Sequence, residues 1–457
     1  MLPLIAARLT TLISFNVKHT HSPPAKRRFS LHDKWKYGIE FAELSDVGMR
    51  RSNNQDSYVS VLAKSKTRFE SHGHLFVVAD GMGAHAAGEL ASQLATEHIC
   101  RSYFHVETVN EHSLEAAFHQ ANREIYGKGQ SNPEFHNMGT TASGLLLNPK
   151  GAFIAHVGDS RVYRLRNECL EQLTFDHSLV WEIEANPELQ ATSWSGPIPK
   201  NVITRSLGPN ATVQVDIEGP FDIEANDRFL LCSDGLTAVV DDEEIGTLVG
   251  CLDPKNAAQV LIDLANLRGG PDNITVTVVH ATANEDDGNQ SLTPKPNPAL
   301  PKPLLYSTIC TFLTAAALTA LSLGSQKTFL PLAIVALTVG TILGIGCLAL
   351  RSSRSKKTTN SNLPKGRAPY RSYNARPSLE LYDRLGQTVQ ALRDASAEHN
   401  WLMEWESVDR CQAEGERQIT EGDASRAIQS QSLAIIEAMK QLREQQNRAA
   451  SDTSIDL

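Results

Sequence analysis

Four short aspartate motifs, spread over the first 280 residues, require distant parts of this chain to meet. Three of them place an aspartate beside a glycine, or one residue from it, where an extended apolar run stops. The motifs are Arg51–Asp56, Ala79–Gly83, Cys232–Gly235 and Gly270–Asn273. Carboxylates and backbone carbonyls are the oxygen ligands that hard divalent cations prefer. A single Asp-Gly pair is an ordinary turn, but the four motifs together predict one metal site to which the strand ends converge.

Between Ile39 and Val279, short β-branched runs alternate with helical stretches. Buried strands are predicted at residues 75–79, 153–157, 229–232 and 274–279, and helices at 86–102, 113–126 and 254–267. Strand runs with helices on the outside suit a two-sheet sandwich covered by helix layers. We therefore assign residues 33–282 to one α+β domain, preceded by a disordered lead at residues 1–32. Periodicity alone does not give the order of the strands.

The composition changes sharply after this domain. Residues 283–303 read as a polar and then proline-rich linker. Leu304–Leu323 and Phe329–Leu350 follow, both without a charge, and each has about the ~20 residues that a bilayer span requires. The pattern predicts a two-helix transmembrane hairpin at 304–350 that contacts membrane lipid. The alternative is a pair of buried helices in a soluble bundle.

The basic residues around the hairpin predict its orientation. Six lysines and arginines follow between Arg351 and Arg367, whereas the connecting loop contains only Lys327. Basic flanks stay cytoplasmic, so the domain at 33–282 and the C-terminal tail should both face the cytoplasm. Residues 351–377 read as a basic linker and residues 378–447 as a helical tail. The tail is either a structural bundle or a partner-docking module.

The charge balance and the cysteines exclude some classes of function. Residues 33–282 contain 19 Lys and Arg against 34 Asp and Glu, a balance of −15 (19 − 34). Such an acidic domain argues against nucleic acid as a partner, because that affinity comes largely from Lys and Arg on phosphates. The seven cysteines are scattered without a C-x-x-C pair. This favours a reducing compartment over a disulfide framework or a zinc site.

A longer series of motifs resembles metal-dependent serine/threonine phosphatases of the protein phosphatase 2C family, in their bacterial form. The resemblance runs from about Phe41 to Val279, with the motifs in the family's order. Its segments are residues 45–56, 78–85, 139–141, 156–161, 173–177, 204–208, 231–236 and 271–275. It implies a four-layer α-β-β-α sandwich of two antiparallel sheets, and it implies Mn²⁺ or Mg²⁺ as two bound ions with the possibility of a third.

The resemblance also assigns ligands. Asp80 matches the carboxylate that bridges two metals, and Gly81 would offer its backbone carbonyl to the second metal. Asp234 and Asp272 would hold the first metal, while Asp56 and Gln55 would orient metal-bound waters. Asp159 matches the aspartate that bacterial members use for a third metal, together with Asp234. The reaction implied is attack by a metal-bridged hydroxide in line on phosphorus.

Arg51 matches the arginine that grips the substrate phosphate, for which a planar fork of donors is well suited. Its neighbour Arg50 is the rival for this role. Animal members have a histidine directly after the Asp-Gly pair, proposed as an acid, but here that position is Met82. We interpret His85 as structural and do not assign His177 to proton transfer.

These patterns predict a membrane-tethered phosphatase that removes phosphate from phosphoserine and phosphothreonine on proteins and counteracts a serine/threonine kinase. The alternative from another class is a non-catalytic, membrane-anchored scaffold that binds phosphoproteins. The complete set of Asp56, Asp80, Asp234 and Asp272 favours the enzyme, since a scaffold can lose these carboxylates freely.

Overall fold

Two antiparallel sheets form the centre of the structure, a computed structural model that describes residues 38–83, 86–107, 109–185, 199, 202–282 and 368–453. The described residues up to Thr282 and from Ala368 onward belong to one compact unit. The strands are β1 Gly38–Asp46, β2 Asp56–Val61, β3 His74–Met82, β4 Gly139–Thr140, β5 Ala142–Asn148, β6 Gly151–Val157, β7 Arg161–Arg166, β8 Cys169–Gln172, β9 Asp216–Phe221, β10 Arg228–Cys232, β11 Ile274–Thr282 and β12 Arg371–Asn374.

One sheet has the order β1-β11-β10-β7-β8-β12, and the other has the order β2-β3-β5-β6-β9 with β4 beside β3. The strands predicted from the apolar runs lie inside β3, β6, β10 and β11, so those predictions are confirmed. Because successive side chains point to opposite faces of a sheet, β3 packs in two directions. Phe76 and Val78 lie among the apolar residues between the sheets, whereas Leu75 and Val77 face a helix layer.

Helices cover the outer face of each sheet and complete the four layers. In chain order they are α1 Lys66–His72, α2 Ala87–His105, α3 Glu111–Ser131, α4 Leu179–Ala185, α5 Asp234–Thr237, α6 Asp242–Cys251 and α7 Pro254–Leu267. The predicted helices correspond to α2, α3 and α7. Asn110 starts α3 with a capping box to Ser113, and Asp253 caps α7 ahead of Pro254.

The C-terminal tail adds a strand and a further helical layer to the same unit. Its helices are α8 Leu379–His399, α9 Trp405–Thr420 and α10 Ala424–Thr453. The apolar positions that predicted helices here, including Leu385 and Ile435, are fully buried in one cluster with Leu261 of α7. Helix α10 packs against α6 and α7. The tail therefore covers the helix layer that would otherwise be the outer surface of the sandwich.

Residues 371–374 depart from the sequence prediction, which placed them in a basic linker. They form the edge strand β12, which pairs antiparallel with β8 with Tyr373 opposite Leu170. Ala375 is buried directly after the strand. It approaches α6 at Gly246, where a Cβ would lie 2.8 Å from that of Ala375. Apolar contact behind a short pairing segment explains why a charged stretch is ordered here.

Several predictions fall on residues outside those ranges and stay predictions. They are the lead at 1–32, the proline-rich linker at 283–303, the hairpin at 304–350 and the first part of the basic linker up to residue 367. Within the described ranges, no helix has both the length and the apolar composition to cross a membrane.

Candidate active site and metal centre

The sheet registers bring the four aspartate motifs to one end of the sandwich. Asp56 begins β2 directly opposite Asp80 in β3. In the other sheet, Cys232 at the end of β10 lies opposite Val276 near the start of β11. Asp234 therefore follows one strand at the place where Asp272 precedes its neighbour. The convergence that the sequence predicted is present.

Four of the five carboxylates at this end of the sandwich have raised pKa values. Burial raises the pKa of Asp80 well above its usual range, and Asp56, Asp234, Asp159 and Asp272 add to the rise through their negative charge. Burial also raises the pKa of Asp56 to about 7 and that of Asp159 to about 7, with Asp234 contributing to both. Desolvation and like charge both disfavour ionisation, so the cluster is a strong attractor for cations.

Unpaired oxygens in this cluster supply a test of whether a cation fits. Within the described part of the chain, Asp56 Oδ1, Asp159 Oδ1 and Asp234 Oδ1 are buried without a hydrogen-bond partner. A buried carboxylate oxygen without a donor is costly unless a cation or water satisfies it. These three oxygens, all from residues predicted as ligands, therefore fit a divalent cation.

The side chains alone do not make a closed cage. Among the described residues, no three His, Cys, Asp or Glu side chains stand close enough together to hold a metal by themselves. The buried, unpaired carboxylate oxygens still fit a cation, because Mg²⁺ keeps several waters and uses only one or two protein carboxylates. Waters and backbone carbonyls such as that of Gly81 would have to complete the coordination.

Hydroxyl and amide side chains hold the aspartates in place, and these were missed as functional residues in the sequence. Ser233 Oγ and Thr275 Oγ1 each donate to Asp56 Oδ2 at 2.7 Å. Thr141 Oγ1 accepts from the Asp80 backbone N–H at 2.9 Å. All three stand inside the motifs that carried the family resemblance, which is the only signal that could have marked them.

Asn273 connects the Asp272 loop to the first motif. Its Oδ1 accepts from Gln55 N at 2.8 Å, and its Nδ2 donates to Val47 O at 2.8 Å and Asn53 O at 3.0 Å. Gly235 allows the backbone after β10 to lie close to the backbone of Asn273, because a Cβ at position 235 would lie 2.0 Å from Asn273 O.

Arg51 lies at the rim of the carboxylate cluster. Its Nη2 donates to Asp272 Oδ2 at 2.7 Å. Asp272, Asp80 and Asp234 all raise the pKa of Arg51, against the opposing effect of burial. Arg50 is exposed. The structure thus brings Arg51 to the predicted place and adds an ion pair with a predicted metal ligand.

The loop that carries Asp159 is held by His177. The Gly158 N–H donates to His177 Nδ1 at 2.9 Å, and the His177 N–H donates to Gly158 O at 2.7 Å. His177 Nε2 faces Asp216 Oδ2 at 3.1 Å, and the ring is fully buried. A buried ring with both nitrogens engaged suits a structural role. Ala84 and His85 lie outside the described residues.

Comparisons with known proteins match this domain. A family model described as "Protein phosphatase 2C" matches residues 49–264. Protein phosphatase PhpP of Streptococcus pneumoniae is 37% identical over 258 residues, covering 54% of this chain and 99% of that protein. Serine/threonine phosphatase stp of Listeria innocua is 34% identical over 242 residues, covering 51% and 93%. A solved structure of the PstP catalytic domain in complex with two manganese ions is 32% identical, with a TM-score of 0.44, and covers 53% and 98%.

Proposed function

This chain belongs to the protein phosphatase 2C family and is a metal-dependent serine/threonine protein phosphatase. From that premise we propose that it acts on phosphoproteins at a membrane, with its catalytic domain and its tail in the cytoplasm, and opposes a serine/threonine kinase there. The observation that carries the catalytic part is the group of five aspartates at one end of the sandwich, four of which (Asp56, Asp80, Asp159 and Asp234) have raised pKa values.

The family resemblance assigns the residues that would hold the cations, and the strand registers bring these residues to one end of the sandwich. Asp80, the Gly81 carbonyl, Asp234 and Asp272 would bind two ions, Asp56 would support them, and Asp159 with Asp234 would bind a third. Two bound divalent cations would screen the phosphate charge and lower the pKa of an attacking water.

The protein's own side chains position carboxylates and hydrogen-bond donors around the phosphate. Burial of Asp80 and Asp234 places both carboxyls in a region of low dielectric, where the attraction between an ionised carboxylate and a cation is strongest. The guanidinium of Arg51 stands at the open side with donors beyond the one given to Asp272, so it can bind phosphate oxygens in a fork. The hydrogen bonds from Ser233 and Thr275 hold the Asp56 carboxylate in one orientation when a ligand binds.

The membrane part of the proposal rests on the sequence of residues 304–350 and gains support from the fold. Thr282 ends β11 and Ala368 precedes β12, and both belong to one folded unit. The two flanks of the apolar segment must then lie on the same side of a bilayer. An even number of crossings satisfies this, and two uncharged runs of about 20 residues supply it.

The test uses the full chain purified in detergent. We expect hydrolysis of p-nitrophenyl phosphate and of a phosphothreonine peptide with Mn²⁺, and loss of activity in EDTA. Asp80→Asn should lower kcat by orders of magnitude, because it weakens both cation sites together. Asp222→Asn, at an exposed aspartate, is the matched control and should keep full activity. Equal turnover by wild type and Asp80→Asn would exclude this site, and an inactive wild type that still binds phosphopeptides would favour the scaffold.

A further inference from the structure

The edge strand from the tail lies against the segment that holds the Asp159 loop. Besides pairing with β8, the segment 368–376 contacts residues 175–184, which run from the end of β8 into α4. Tyr370 N donates to Gln172 O at 3.0 Å and continues the pairing beyond β12. The matched family region ends at residue 264, so these contacts come from a part of the chain that the family match does not cover.

Arg371 makes the closest contact with α4. Its guanidinium carbon lies 3.9 Å from the ring centroid of Trp181, and the guanidinium also pairs with Glu184. Solvent screens the ion pair, because both side chains are more than a third exposed. Trp181 is only 7% exposed, so the cation–π contact is the stronger of the two.

Trp181 also contacts Arg161, and it thereby connects Arg371 with a residue near the active site. The guanidinium of Arg161 lies 5.7 Å from the same ring. Arg161 starts β7, two residues after Asp159, and its Nη2 lies 2.7 Å from Asp176 Oδ2. Burial raises the pKa of Asp176, and both Arg161 and Arg371 oppose that rise. Arg371 thus acts on the same buried carboxylate as Arg161.

A second route starts at Tyr370. Its ring packs edge-on against Phe175 with centroids 5.4 Å apart, and Phe175 packs edge-on against Trp181 at 5.3 Å. Phe175 O accepts from His156 Nε2 at 3.0 Å, and the His156 ring stacks on His177. His177 in turn holds Gly158 through two reciprocal hydrogen bonds. Both routes end at the loop that carries Asp159.

We propose that Arg371 and Tyr370 are positioning residues for the phosphatase reaction, holding residues 175–184 so that the Gly158–Asp159 loop keeps its place beside Asp80 and Asp234. This rests on the proposed phosphatase function. The tail, which follows the apolar segment in the sequence, then contributes residues on which the phosphatase reaction depends. The rate of the enzyme therefore depends on β12, a strand outside the domain at 33–282.

The test compares Arg371→Ala with Arg376→Ala in the full-length protein. Arg376 lies in the same segment and pairs through Nε with Glu168 at 2.9 Å, on the exposed side of the strand. We expect Arg371→Ala to lower kcat on p-nitrophenyl phosphate about threefold to tenfold with KM nearly unchanged, since misplacement of reacting groups costs rate. Arg371→Lys should recover part of the loss, and Arg376→Ala should match wild type.

A double variant shows whether Arg371 acts through Trp181. In a Trp181→Leu background, Arg371→Ala should lower kcat no further, because residues in contact are coupled and their effects do not add. Fully additive losses would overturn the route through this ring. So would equal losses from Arg371→Ala and Arg376→Ala.

Hydrogen exchange gives a readout that does not need activity. Arg371→Ala, and separately Tyr370→Ala, should speed exchange at the Gly158 and His177 amides several-fold, while exchange in β3 stays as in wild type. Unchanged exchange at both amides would overturn the inference even if the enzyme is active. An inactive wild type would instead overturn the proposed function, and the exchange data would still decide the role of Arg371.

Discussion

Arg51 and Asp272 face each other across the mouth of the site, with Nη2 and Oδ2 2.7 Å apart. The Arg51 side chain is 48% exposed and that of Asp272 is 30% exposed. A pair with this much solvent contact is worth about 1 kcal/mol or less. The ion pair is therefore easily broken. A phosphate dianion can compete for Arg51, and a cation can compete for Asp272.

The first prediction follows from this weak pair. Arg51→Ala should raise KM for p-nitrophenyl phosphate and weaken inhibition by inorganic phosphate, because the forked donor is gone. Mn²⁺ affinity measured by calorimetry should not fall, since Asp272 loses a competitor and keeps its carboxylate. Arg50→Ala is the matched control and should keep wild-type kinetics, because it is Arg51 and not Arg50 that pairs with Asp272. Loss of Mn²⁺ binding in Arg51→Ala, or the KM effect in Arg50→Ala instead, would contradict the assignment.

The second prediction concerns Glu43 on β1, away from the aspartate cluster. Burial raises its pKa from 4.5 to about 7, against the effect of a hydrogen bond from Ser60 Oγ. A carboxyl whose pKa is raised in the folded state stabilises the fold below pH 4.5, and that contribution is lost as the pH rises through 7.

Glu43→Gln should therefore raise the free energy of unfolding at pH 8 by on the order of 1–3 kcal/mol, with little change at pH 4.5. The glutamine carbonyl can still accept from Ser60. Thermal unfolding at the two pH values measures the difference, and Glu406→Gln at an exposed site is the control. A gain of equal size at both pH values would show that ionisation of Glu43 is not the cause.

The third prediction tests how the tail is joined to the catalytic domain. Asp263 of α7 is fully buried and pairs with Arg443 of α10. Burial raises the pKa of Asp263 to about 6, and Arg443 opposes the rise. Arg443→Ala should cost about 2–3 kcal/mol of unfolding free energy at pH 8, because it leaves a buried charge unpaired. The loss should shrink at pH 5, where Asp263 takes up a proton.

Asp263→Asn added to Arg443→Ala should recover much of this loss. Arg417→Ala is the control, because Arg417 pairs with Glu414 on the exposed surface and its loss should leave the free energy of unfolding nearly unchanged. A loss from Arg443→Ala that is the same at pH 5 and pH 8 would mean that packing of the arginine stem, and not the charge on Asp263, joins the tail to α7.

Asp80, Asp234 and Asp272 could be predicted from sequence because each stands at one end of an apolar run that forms a buried strand. Asp80 after Val77-Val78-Ala79 is the clearest example. The partners of these residues could not be predicted in the same way. Asn273 reaches Val47 and Asn53, more than 200 positions away, and only the strand order places those loops together.

In the tail, the sequence predicted the helices but not the surface against which they pack. These helices could be predicted from the spacing of Leu381, Leu385 and Val389, because that spacing is a local property. The surface that they cover is not local, since it is formed by α6 and α7 on the other side of the apolar segment. Strand β12 gave no signal at all. Residues 371–374 include an arginine and an asparagine, so the sequence predicted a linker there. They form a strand because they pair with β8.

The last prediction is the topology of residues 304–350, which the fold now limits. Because residues 282 and 368 belong to one unit, positions 291 and 361 must lie in one compartment. The basic residues after Leu350 predict that this compartment is the cytoplasm. In a variant with the seven native cysteines replaced, a single cysteine in place of Gln326 should react with a membrane-impermeant maleimide added outside intact cells.

Single cysteines in place of Ser291 or Ser361 should stay protected until the membrane is permeabilised, and both should then react equally. Activity of each variant, measured after permeabilisation, shows that β12 is still paired. If the cysteine at 361 reacts from outside while the one at 291 does not, the apolar segment crosses the bilayer an odd number of times. The tail would then be separated from β8 by the membrane, and neither the single unit nor the positioning role of Arg371 could hold in the cell.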